Sequence, residues 1–269
     1  MSVISQKIDS LEILTAEGIT APHAFTTRHG GVSLGVLGSM NLTVRLDEED
    51  WNVEENYRIL GSALGFGLHD LVLTRQIHSD IVRVVTHADC NGCFHRDYPQ
   101  CDALVTNDPG VALTVFTADC TPILFHDPVT GAVGAAHAGW RGTAQDIGGK
   151  TVQAMVREYG CDPANIRAAI GPNVGFCHFE TDGDVPEALL AAYGEEIRPY
   201  IQFERYKNGK YYVDLKAVNA FSLRRAGVRH IEISEDCTMC RTDRYWSHRV
   251  TGNIRGSQGA IIVCKEATP

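Results

Sequence analysis

A chain of 269 residues with 44% hydrophobic and 21% charged side chains has ordinary globular composition, which excludes disorder and needs no disulfide frame to hold its core. Its formal charge of −9 excludes a broad nucleic-acid or anionic-membrane surface, although local cations can still hold a small anion. There is no run of about 18 apolar residues, and the opening MSVISQKIDSLEILTAEGI lacks the basic and apolar blocks of an export signal. The expectation is therefore a cytoplasmic protein with no membrane partner, whose nine cysteines are mostly reduced thiols suited to metal binding or catalysis.

Residues 53–64, VEENYRILGSAL, place apolar side chains at every third or fourth position and predict an amphipathic helix. Strands are predicted over 71–74 and 81–85. From Ala103 four apolar runs follow, ALVT, VALTVFT, PILFHD and GAVGAAH, divided by Pro-Gly, Asp-Pro and Thr-Gly. They predict consecutive buried strands joined by tight turns. In GWRGTAQDIGGKTVQAMVREYG, residues Ala144, Ile147, Thr151, Met155 and Tyr159 recur at helical spacing, and Gly160 stands where that helix would stop. A strand over 166–170, a helix near 186–197, a strand over 211–213, a helix over 214–226 and strands over 230–233 and 260–264 complete the prediction. No Pro/Gly/Ser-rich linker interrupts the chain, so residues 1–269 read as a single α/β domain built on a mixed or antiparallel sheet.

Three segments carry reactive side chains: Gln76-Ile77-His78-Ser79-Asp80, Ala118-Asp119-Cys120-Thr121-Pro122 and Ala136-His137-Ala138-Gly139-Trp140-Arg141-Gly142. Cys120 and His137 end otherwise apolar runs, where a polar tip must be paired or functional. His78, Cys120 and His137 together offer two imidazoles and a thiolate, a donor set that suits zinc and leaves a fourth position for water. Two other readings remain open. Each residue can be an ordinary core group, or Cys120 and His137 can be a metal-free nucleophile and base. The Gly139–Thr143 turn with Arg141 suits an anion at a helix start, or is a plain turn capped by Thr143. Arg28, beside Gly30 and Gly31, is a second such cation. Two Cys-x-x-Cys pairs, Cys90/Cys93 and Cys237/Cys240, can share a metal only if the fold joins them across more than a hundred residues. His87, Cys90, Cys93, His95 and Cys101 form a denser cluster, read as an extra metal site or as a loop of adventitious affinity.

The segments TTRHGGVS, GSMNL, TRQIHSD, CDALVT, TADCTPILF, AAHAGWRGT, IGP and DCT…YWSHR…TG together resemble the multicopper polyphenol oxidoreductase (laccase-like) family, described as purine nucleoside phosphorylases with adenosine deaminase activity. The resemblance runs from about Phe25 to Val263. It implies a single α/β domain whose mixed sheets form a layered sandwich, related to toxin deamidases with a Cys–His centre. It also implies a zinc ion, with copper the lesser candidate, held by His78, Cys120 and His137. Implied substrates are purine nucleosides (adenosine, inosine, guanosine and methylthioadenosine) with phosphate. On that basis Asp119 or Asp80 is expected to handle protons, Arg28 and Arg141 to cradle phosphate, and Asn41 or Gln76 to touch the nucleoside. None of the eleven histidines stands two residues from another, which excludes the His-x-His pairs of a conventional laccase. The segment Trp246-Ser247-His248-Arg249 departs from the Phe-Ser-Tyr-Arg-Arg expected of the family, which shifts base preference if it shapes the purine pocket. The competing classes are a metal-free Cys–His hydrolase or deamidase and a non-catalytic editing partner of the cell envelope.

Overall fold

A computed structural model describes residues 3–44, 49–94, 100–204 and 209–265. Its strands form two six-stranded mixed sheets and one small sheet. The first sheet runs β1 (Val3–Ile8), β2 (Leu11–Ala16), β3 (His23–Thr26), β15 (Gln258–Val263), β7 (Ala112–Thr117) and β4 (Leu71–Val72). The second runs β14 (His230–Ile233), β10 (Arg167–Ile170), β8 (Thr121–His126), β9 (Val133–Ala138), β6 (Ala103–Thr106) and β5 (Val82–Val84). Neighbours are antiparallel except β4 with β7, β5 with β6 and β10 with β14. The third sheet holds β11 (Glu180–Thr181), β13 (Tyr211–Val213) and β12 (Ile201–Phe203).

The two large sheets pack face to face. Leu14, Phe25, Leu113, Val115 and Ile262 of the first meet Leu104, Leu124, Val133, Ala135 and Ala169 of the second. Because successive side chains point to opposite faces, Leu11, Ile13, Ile261 and Val263 turn the other way, against Val53, Tyr57 and Leu60 of α1 (Asp50–Leu64). Ile123, Phe125, Ala136 and Ile170 likewise meet Ile147, Val152 and Met155 of α3 (Ile147–Tyr159) and Leu223 of α5 (Leu215–Arg225). The layers are helix, sheet, sheet, helix. Strands covered on both faces are apolar throughout, which is why 103–138 read as unbroken hydrophobic runs.

The structure revises four expectations. The strands β6 and β7 belong to different sheets rather than forming a hairpin. The single helix expected after Gly139 is broken into α2 (Trp140–Ala144) and α3, because Asp146 takes a left-handed conformation (φ 61°) and accepts the Ser222 and Tyr193 hydroxyls. Gly160 does end α3 (φ 67°). The helix near 186–197 is α4 (Asp184–Tyr193), which stops at Gly194 (φ 77°) before a 3-10 turn over Glu195–Tyr200. Finally, β1 to β3, β11, β12 and α6 (His248–Thr251) were not predicted. The edge strand β1 is mostly exposed, and its apolar Val3, Ile4 and Ile8 do not alternate with polar residues, so it has no strand pattern to read.

Candidate active site

The chain passes between the large sheets at two places that matter. Residues 73–81 lead from β4 to β5, and residues 118–120 lead from β7 to β8. The first crossing carries His78 and the second Cys120. His137 lies on β9, directly opposite Pro122 of β8. Both crossings turn through left-handed backbone, with φ 61° at His78 and φ 93° at Asp119. Such a conformation costs a non-glycine residue about 1–3 kcal/mol and persists where the surroundings fix it.

Asp102, fully buried just ahead of β6, does the fixing at the His78 crossing. Its carboxylate accepts the main-chain N–H groups of Ile77 (3.2 Å), His78 (3.1 Å) and Ser79 (2.7 Å), together with the Ser79 hydroxyl (2.7 Å). It also accepts His137 Nδ1–H at 2.8 Å, which leaves Nε2 of that ring for the site. Burial opposes the charge of Asp102, yet the hydrogen bonds from His137 and Ser79 hold the carboxyl down at about 2.

One donor atom each from His78, Cys120 and His137 lies within 4.8 Å of the others, and Cys120 Sγ is 3.8 Å from His78 Nε2. Burial alone would raise the Cys120 thiol, but the His137 cation and hydrogen bonds from His137 and His78 bring it down to about 6. Burial would lower His137, but the Cys120 thiolate and Asp102 raise it to about 9. The trio is therefore an acid–base-matched set. A Cβ on Gly139 would sit 2.8 Å from His78 Cδ2 and 3.2 Å from Cys120 Sγ, so the donors converge only because that residue lacks a side chain. Two imidazoles and a thiolate around that glycine fit a zinc-type ion with an open position.

The trio lines a cavity of about 500 Å³. Phe116, Trp140 and Phe179 give it aromatic walls, and Arg249 and Arg255 give it positive charge. The Arg249 guanidinium lies 5.3 Å from the Phe179 ring centre. His248 also lines the cavity, its Nδ1 at 3.0 Å from the Gly252 carbonyl.

Other nominated residues are placed differently. Asp119 lines the cavity, but its carboxylate accepts the Thr238 hydroxyl (2.6 Å), the Ser247 hydroxyl (3.0 Å) and the Arg249 N–H (2.7 Å). Its oxygens buttress the wall rather than project freely. Asp80 pairs with Lys150 on α3 and does not line the cavity. Gln76 does line it, pinned by both ends of its amide to the Phe116 main chain (2.6 and 2.8 Å). Asn41 is fully buried behind the wall and holds Thr43 and Ser257, which do face the cavity. Arg28 lies in a separate groove with Trp246, its guanidinium donating to the carbonyls of Gly38, Thr242 and Val36. Arg141 is exposed and stacks on Trp140 at 4.2 Å. Thr143 caps nothing: it lies buried within α2, its hydroxyl accepting from Asn219.

The cysteine stretch 87–101 does not gather among the described residues: Cys101 is in the core between the sheets, Cys90 Sγ bonds the Asp70 carbonyl, and His95 lies outside the described residues. Cys237 and Cys240 meet Cys177 and His178, not Cys90 and Cys93. Sequence reasoning missed Asp102, Arg249 and Arg255 as site residues. Asp102 left one signal, a lone carboxylate at the head of a buried apolar strand. Arg249 stood in the Trp246–Arg249 segment already tied to the purine pocket, though with no role of its own, and Arg255 left no signal, because their loop reaches the cavity only through tertiary packing.

Fold and site together define a layered α/β protein with a three-donor Cys–His–His centre at the base of a cavity. The chain belongs to the family described as multi-copper polyphenol oxidoreductase laccase, which matches residues 22–265. It is 40% identical over 253 residues to a protein of Deinococcus radiodurans named purine nucleoside phosphorylase, covering 94% of this chain and 92% of that one. It is 37% identical to purine nucleoside phosphorylase YlmD of Geobacillus stearothermophilus, covering 88% and 86%. The crystal structure of that YlmD superposes with a TM-score of 0.86 at 35% identity, over 98% of this chain and 100% of that one. A Bacillus licheniformis hypothetical protein, YfiH, superposes at 0.89 and 33% identity, over 96% and 98%. Among the described residues no helix is long and apolar enough to cross a membrane.

Proposed function

We propose that this chain is a zinc-dependent purine nucleoside phosphorylase that also deaminates adenosine. The observation that carries the reading is the Cys–His–His trio opening onto a cavity with aromatic walls and two arginines, in a chain whose relatives are named purine nucleoside phosphorylases. Its volume falls within the range of about 300–1,000 Å³ usual for small-molecule sites. Aromatic faces suit a purine, and guanidinium groups suit phosphate through paired, charge-assisted hydrogen bonds.

His78, Cys120 and His137 would hold the zinc, which when bound supplies Lewis acidity at the base of the cavity. The rest falls to the chain's own residues. In phosphorolysis a phosphate oxygen forms a bond to ribose C1′ as the bond to the purine nitrogen breaks, giving free base and pentose 1-phosphate. Arg249 and Arg255 would hold that phosphate, and Phe116, Phe179 and Trp140 would sandwich the base. Asp102 keeps the His137 ring in one tautomer, Asp119 fixes the Arg249 main chain, and Asp80 steadies the His78 crossing through Lys150. His248 is the imidazole we assign to hydrogen-bond the nucleoside from the wall.

The test is chromatographic product analysis of zinc-loaded protein with adenosine, with and without phosphate, beside His78→Ala. Adenine with ribose 1-phosphate, or inosine, made by the native protein and absent from the variant supports the proposal. A second reading rests on the low Cys120 and high His137 pKa: with Asp102 they form a metal-free Cys–His–Asp relay of the hydrolase kind. Turnover that survives chelation and dies on thiol alkylation would establish that reading instead.

A further inference from the structure

The second cluster of donors lies on two loops behind the cavity. Cys177 and His178 follow β10 in a tight turn, and Cys237 and Cys240 follow β14 in the segment Cys-Thr-Met-Cys. Cys177 Sγ and Cys240 Sγ are 3.6 Å apart. His178 Nδ1 stands among the sulfurs, 3.1 Å from Cys177, 3.4 Å from Cys240 and 3.7 Å from Cys237. A tetrahedral zinc ion with Zn–S of about 2.3 Å and Zn–N of about 2.0–2.1 Å places its ligand atoms about 3.8 Å (S to S) and about 3.5 Å (S to N) apart. Four of the six donor separations lie within about 0.5 Å of those edges, and the remaining two are within 4.8 Å.

Three further features shape the place. The Gly175 N–H donates to Cys237 Sγ at 3.2 Å, a bond that favours a thiolate. A Cβ on Gly175 would lie 3.1 Å from Cys237 Cβ, closer than ordinary contact, so the glycine lets its main chain come up against the Cys237 side chain. The loops are also held in register without help from the donors, by the bridge between Asn173 and Cys237 and the bond from Thr238 N–H to the Asn173 carbonyl (2.9 Å).

We propose that Cys177, His178, Cys237 and Cys240 form a second, structural metal site that binds zinc, distinct from the trio in the cavity. Three thiolates and one imidazole select zinc among the common divalent cations, and four protein ligands leave no position for substrate. Its role follows from what flanks it. Phe179, next to His178, is a cavity wall beneath Arg249, and Thr238, between the two cysteines, donates to Asp119. An ion here clamps the two loops that hold that wall, whatever reacts in the cavity.

The experiment removes the first site to count the second. His78→Ala/Cys120→Ser protein, folded by circular dichroism, is loaded with zinc, desalted and analysed for metal; the expected content is one ion per chain, falling to none when Cys237→Ser is added. Cobalt(II) in place of zinc should show tetrahedral visible bands and thiolate charge-transfer absorption that Cys237→Ser abolishes. Cys240→His in the double variant, which leaves Cys237 in place and keeps a fourth ligand, should retain one zinc per chain even if the Cys237→Ser protein folds poorly. A folded double variant that retains no zinc overturns the proposal, as does recovery of Cys177 and Cys240 as a disulfide from protein prepared anaerobically with zinc.

Discussion

Asp102→Asn is the perturbation that the structure makes most quantitative. The amide keeps the size of the carboxylate but replaces an acceptor oxygen with a donor, facing a ring of five donors: three main-chain N–H groups, the Ser79 hydroxyl and His137 Nδ1. The gap between the usual 3.8 and about 2 for this carboxyl corresponds to about 2 kcal/mol in favour of its charged form. That stabilisation is complete above pH ~4 and is lost only as pH falls through about 2, so it is fully present at neutral pH. Leaving one buried donor unsatisfied adds about 1–3 kcal/mol. The variant should thus lose about 3–5 kcal/mol, and at about 2–4 °C per kcal/mol its melting temperature should fall by roughly 6–20 °C. The His78 crossing and the His137 tautomer lose their common anchor, so zinc affinity should fall by about 10–100-fold. Calorimetry of the metal-free protein and zinc competition against a chromophoric chelator measure the two effects separately. Native melting together with native zinc affinity would refute the role given to Asp102.

Gly139→Ala keeps an allowed backbone (φ −66°) but drives a methyl into His78 and Cys120, so zinc affinity should drop about tenfold with the fold retained; undiminished binding in a zinc titration would show that the donors need no such clearance. Arg249→Ala should raise the phosphate KM by about 10–100-fold, the worth of a charged hydrogen bond, while the Asp119 bond survives because it uses the main chain. Arg141→Ala should change it far less, and the reverse order in steady-state kinetics would return phosphate to Arg141. His126 tests the acid limb: burial, outweighing the opposing effect of Asp127 and helped by His23 and Arg167, lowers it to about 4. The unfolded chain takes up that proton near 6.5 and the native state resists it, so stability should fall by about 2 kcal/mol from pH 7 to 5. A folded His126→Gln protein should lose that much less in urea titrations at the two pH values, and an identical loss would remove His126 from the account.

Much of the fold was written locally. The runs from Ala103 to Ala138 are apolar because both faces of the strands are covered, and the helix boundaries at Gly160 and after Asp214 lie in residues whose backbone or side chain sets them. The trio could be named too, but unevenly: Cys120 and His137 end apolar runs where a polar tip needs a use, whereas His78 stands exposed in a polar segment and was joined to them by donor chemistry and the family resemblance. What sequence could not give is which sheet each strand joins. Neighbouring runs look alike, yet β6 and β7 part, and it is their parting that makes residues 118–120 a crossing and sets Cys120 against His78. Asp102 as the common anchor, Arg249 and Arg255 as the cavity cations, and the pairing of Cys237 and Cys240 with Cys177 and His178 all depend on contacts between segments distant in sequence. Local pattern records the burial of each residue, but not the partner beside which it is buried; that choice belongs to the packing of the two sheets.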